Sequence, residues 1–125
     1  MNNLPPEKIS HYKKLLEQEM VRLEGELDGL GKHDSKNPDN WEQNKPEAVD
    51  PADQMEIAEK IDEYEDNSAV LQNLEVRHKD VRDAIEKIAK GTYGTCEVSG
   101  EKIEVERLEA NPAARTCIAH MNLRQ

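Results

Sequence analysis

The chain has 125 residues, about one domain's length. Only 35% of it is hydrophobic, aromatics make up 3%, Phe is absent and 35% is charged, which argues against a thick globular core and favours amphipathic helices, whose seam needs about two apolar residues in seven. A net charge of −10 argues against direct binding to a nucleic-acid backbone, which requires clustered Lys and Arg, and points to a basic protein partner or a positively charged channel.

The opening segment, LPPEKISHYKKLLEQEMVRLEGELDGLG, begins with prolines suited to a helix start and ends with a glycine suited to a stop. Ile9, Leu16, Leu23 and Leu30 recur every seven residues, and Tyr12, Met20 and Leu27 fill the neighbouring row. This spacing predicts a helix with one apolar stripe. Gly25 weakens that helix by roughly 1 kcal/mol relative to Ala without breaking it. No apolar run approaches the roughly 20 residues of a membrane span. The first ten residues lack the basic and apolar regions of a secretory signal. A cytosolic chain with reduced cysteines is therefore expected, a Cys96–Cys117 disulfide being the alternative.

From Lys32 to Pro51 the periodicity disappears, and three prolines and three asparagines predict a loop of about 20 residues. Its one large apolar side chain, Trp41, is expected to pin the loop against the helices, with a partner contact as the alternative. The helical pattern returns from Asp53 to about Lys90. Ile57, Tyr64, Leu71, His78 and Ile85 share one heptad position there, flanked by Ile61, Leu74, Val81 and Ile88. Such a helix is about 55 Å long, and the first helix is the natural cover for its stripe. Gly91 supplies the stop. His78 reads as a seam residue, and the acidic run EKIDEYEDN reads as solvated surface.

The fold predicted is mainly α: a long antiparallel coiled-coil hairpin over residues 1–90, with its loop at about 32–51, followed by a small knuckle-like module over 91–125. In that module CEVSG (96–100) has the form of half a zinc knuckle with Ser99 in place of the second cysteine, and CIAH (117–120) has the spacing of the other half. Cys96, Cys117 and His120 are candidate zinc ligands, with Ser99 at the fourth position. A neutral hydroxyl is a poor ligand, so three ligands and a water are the alternative set.

The segment GTYGTCEVSGEKIEVERLEANPAARTC, with the C-x-x-H that follows, resembles the zinc-finger signature of the DksA/TraR family of bacterial transcription regulators. The match lies at Gly91 to Gly100, Ile103 to Ala113 and Cys117 to His120. The resemblance implies a non-enzymatic protein that binds RNA polymerase rather than DNA, its hairpin entering the secondary channel and acidic tip residues acting near the catalytic centre. The family's tip reads D-x-x-D-x-A. DPADQM matches it with Asp50 and Asp53 as the two acids and Met55 in place of the alanine. Read from the residues alone, Asp53 is an ordinary helix cap, and it is the resemblance that sets the tip role beside it. A monomer is expected. An acidic coiled-coil adaptor binding some other basic partner is the competing function. An enzyme built on a Cys–His pair or an open zinc site is disfavoured, because no substrate pocket is evident.

Overall fold

A computed structural model describes residues 4–46 and 48–122. Helix α1 (Pro6–Leu30) begins one residue after Pro5, whose carbonyl accepts from the N–H groups of Lys8 and Ile9. The seven residues of its predicted stripe are its covered face: Tyr12, Leu16, Leu23 and Leu27 are buried, and Ile9, Met20 and Leu30 are half-buried. Gly25 lies within the helix without ending it.

The stretch expected to be an irregular loop contains a small antiparallel sheet. Strand β1 (Gly31–His33) pairs with β2 (Trp41–Gln43), Gly31 facing Gln43 and His33 facing Trp41. The turn between them is tied by side-chain caps rather than by apolar alternation, which is why periodicity missed it. The Asp34 carboxylate accepts from the Lys36 N–H at 2.8 Å, and the Asn37 side chain accepts from the Asp39 N–H at 3.0 Å.

Helix α2 (Gln54–Lys90) follows, with Glu56 in its first turn and Lys87 and Lys90 in its last, the charge order that complements a helix dipole. It stops at Gly91, whose φ of 80° suits glycine and few other residues. A short helix α3 (Val105–Ala110) and a 3₁₀ turn (Ile118–His120) complete the described elements.

The chain divides into two compact units. One holds residues 1–22 with 78–125, the other residues 23–77. The first part of α1 thus shares a unit with the last part of α2, and the end of α1 shares one with the start of α2, the order of an antiparallel pair. In the second unit Leu27, Trp41 and Leu71 form a buried cluster, with Leu30 and Leu74 packed on it. Trp41 is 3% exposed. Its ring N–H donates to Asp28 Oδ1 at 3.0 Å and its backbone N–H to Glu75 Oε2 at 2.9 Å. The tryptophan pins the connection to both helices, as expected, and its side chain is buried within this chain.

Two residues depart from the predicted seam. Ile61 is 51% exposed and Tyr64 is 37% exposed. The cause is length and side-chain size: α1 ends at Leu30, in the cluster that contains Leu71 and Leu74, and its residue lining the groove beside Tyr64 is Gly29, which has no side chain to cover the strip. His78 is buried on α2, consistent with a seam position.

Candidate metal centre and hairpin tip

Residues 91–122 are held by a core of Tyr93, Ile103, Leu108 and Ala113, all buried. The Tyr93 hydroxyl donates to the Pro112 carbonyl at 2.7 Å. Its pKa is raised, chiefly by burial. The knuckle turn forms because the Gly100 N–H donates to the Cys96 carbonyl at 2.9 Å and the Cys96 N–H to the Glu101 carbonyl at 2.7 Å. Gly100 takes a φ of 75°, which a side chain would strain. The second turn is closed by the His120 N–H donating to the Cys117 carbonyl at 3.0 Å.

These two turns bring three predicted residues together. Cys96 and Cys117 are buried and free of a disulfide, and His120 is half-buried. Their ligand atoms lie within 4.8 Å of one another. His120 Nδ1 stands 3.1 Å from Cys117 Sγ and 3.9 Å from Cys96 Sγ. A sulfur and a nitrogen sharing one tetrahedral Zn²⁺ would be about 3.6 Å apart at ordinary bond lengths, a value these separations bracket. Two thiols and an imidazole are also the soft and borderline donors that zinc takes.

Ser99 is exposed, and it interacts with the cluster as a hydrogen-bond donor. Burial pushes the Cys96 thiol up. Hydrogen bonds from the Ser99 hydroxyl and from the N–H groups of Ser99, Cys117 and Val98 outweigh it and bring the thiol down to about 6. The Ser99 N–H lies 3.5 Å from Cys96 Sγ, and Ser99 Oγ accepts from the Glu101 N–H at 3.3 Å. The residue in the place of a fourth cysteine therefore stabilises a neighbouring thiolate, the form in which cysteine binds a metal.

A set of charged residues escaped the sequence reading. Arg115 reaches Asp80 at 2.9 Å, Asp83 at 2.7 Å and Glu97 at 3.1 Å. Lys87 reaches Glu97 at 2.7 Å. These bonds join the knuckle turn at Glu97 to the last part of α2, and the Glu97 N–H also donates to the Arg115 carbonyl at 2.9 Å. Partners 10 to 35 residues apart leave no periodic signal in a chain with so many charges.

At the other predicted site Asp50, Asp53 and Met55 are all exposed, Met55 at 74%. Asp53 caps α2: its Oδ1 accepts from the Glu56 N–H at 2.9 Å, and its carbonyl from the Ile57 N–H at 3.1 Å. Asp50 Oδ1 accepts from the Ala52 N–H at 2.9 Å in the turn before it. The capping role read from the residues is present, and both carboxylates stand at the surface.

The family model described as the prokaryotic dksA/traR C4-type zinc finger matches residues 91–119. The chain is 32% identical over 118 residues to the uncharacterized protein YteA of Bacillus subtilis, covering 90% of this chain and 47% of that one. It is 30% identical over 118 residues to the RNA polymerase-binding transcription factor DksA of Salmonella typhimurium, covering 88% of this chain and 66% of that one. The chain thus spans between about half and two thirds of the length of these relatives. In fold it is similar to the transcription factor DksA2 of Pseudomonas aeruginosa, with a TM-score of 0.68, 21% identity, and coverage of 94% of this chain and 82% of that one.

Proposed function

This chain belongs to the DksA/TraR family, and on that footing we propose that it is a non-enzymatic regulator that binds RNA polymerase, its helical hairpin entering the enzyme's secondary channel. The observation that carries the reading is the extent of the likeness to an RNA polymerase-binding factor. It runs over 88% of the chain, through hairpin and finger alike. The physical chemistry is compatible. An acidic chain suits a channel walled by basic groups, and carboxylates at a hairpin tip perturb a metal centre or a basic wall by charge alone. Asp50 and Asp53 are the residues assigned to that contact, with Met55 beside them. Their Oδ1 atoms shape the entry to α2 while their side chains remain exposed.

Cys96, Cys117 and His120 would hold a Zn²⁺ ion, with Ser99 or a water as a weak fourth ligand. The metal's contribution is structural, since binding free energy at such a site is folding free energy. This chain's own part is to place the donors: the Gly100 turn sets Cys96, the 3₁₀ turn sets His120 against Cys117, and the Ser99 hydroxyl favours the Cys96 thiolate.

Purified chain titrated against RNA polymerase core tests the reading. Saturable binding that a hairpin-bearing relative competes away supports it. Absence of binding leaves the acidic adaptor, a protein for some other basic partner, in its place.

A further inference from the structure

Helix α2 carries an apolar strip that stays partly exposed, α1 offering beside Tyr64 only Gly29, which has no side chain. Ile57, Ile61 and Tyr64 stand at i, i+4 and i+7, on one face of the helix. Ile57 is half-buried, and Ile61 and Tyr64 are exposed. Single exposed apolar residues need no explanation, but an aligned set within a densely charged stretch of helix marks an interaction surface. Beside Tyr64 opens a groove of about 330 Å³, walled by Pro46, Lys60 and Asn67. The surrounding charge is one-sided, because residues 53–66 hold seven carboxylates and a single cation, Lys60.

We infer that Ile57, Ile61 and Tyr64 form a second partner contact, distinct from the tip acids, which docks on a protein surface with an apolar recess ringed by basic side chains. The inference rests on the polymerase reading and gives that contact an apolar component. Charge selects the occupant. A second copy of this chain would oppose seven carboxylates with seven more, within a molecule already at −10, and like-charge juxtaposition opposes such a pair. A basic surface converts the same carboxylates into attraction, while the strip supplies the apolar centre that holds a complex together once formed. Acids and strip therefore divide the work, the first governing encounter and the second residence.

The test is the affinity of the full chain for RNA polymerase core, comparing the parent with an Ile61→Gln, Tyr64→Gln double variant and with Ile61→Leu. Glutamine is a good helix former, so the helix is retained, which circular dichroism verifies. The double variant is expected to bind about tenfold more weakly or worse, mainly through faster dissociation, and Ile61→Leu to stay within about twofold. A folded double variant with parental affinity overturns the strip contact and leaves the polymerase reading intact. A parent that does not bind core polymerase overturns both. A parent that dimerises in sedimentation equilibrium, with the dimer abolished in the double variant, assigns the strip to a second copy and overturns the basic partner.

Discussion

Arg115 Nη2 stands 2.7 Å from Asp83 Oδ2, joining the segment before the second knuckle turn to a carboxylate on α2. The same guanidinium also reaches Asp80 and Glu97, and its side chain is only 12% exposed. One residue thus ties three carboxylates together without any metal. Burial alone would raise the Asp83 carboxyl, but hydrogen bonds from Arg115 and Lys79 hold it below the usual range. Glu97 is lowered in the same way by Lys87 and Arg115 against its own burial.

Replacing this cation strands partly buried carboxylates, so Arg115→Ala is expected to cost about 2–4 kcal/mol in chemical unfolding at neutral pH. Both carboxyls are depressed in the folded state, so their contribution is present above the ordinary carboxylate values near 4. It is lost as pH falls through the folded values below them. The parent should therefore weaken more steeply than Arg115→Ala below about pH 4. Parallel stability curves for the two proteins across that window would show that the cluster contributes nothing.

Leu71 is buried with Leu27 and Trp41. Leu71→Asp places a carboxylate where no partner replaces its water, and should destabilise the fold by about 3 kcal/mol or more. Thermal unfolding followed by circular dichroism measures it. An unchanged melting temperature would contradict the packing of α1 against α2 through Trp41.

Both long helices were legible in the sequence because each carries a repeating apolar stripe. The end of α2 was legible as well, since Gly91 takes a φ of 80°. The pairing of CEVSG with CIAH was legible because turn residues and ligand types recur at fixed offsets. Periodicity failed at Ile61 and Tyr64, which fit the apolar stripe but lie near the end of α1, where Gly29 offers no side chain to cover them. It also failed at the β1–β2 pair, whose three-residue strands are too short to show alternation. The Arg115 cluster was invisible for a third reason, since ion pairs between distant residues depend on the fold that brings them together.

Ser99→Cys tests the metal centre. A fourth thiolate would complete a Cys₃His set, raise metal affinity and make the C-terminal segment harder to unfold. The parent is expected to hold zinc substoichiometrically and the variant one equivalent, read by elemental analysis and by thermal unfolding with and without chelator. A metal-free variant would contradict the knuckle geometry. A fully loaded parent would show that Ser99 or water is an adequate fourth ligand.

The most direct test of the functional account concerns the two acids before α2. Asparagine caps a helix about as well as aspartate, so Asp50→Asn with Asp53→Asn removes two charges while keeping the turn that the Oδ1 atoms hold. The measurement is the lifetime of RNA polymerase–promoter complexes with parent and double variant, each at saturating concentration. The account predicts that both proteins bind polymerase and that only the parent shifts the lifetime strongly. Equal effects of the two proteins at saturation would contradict it.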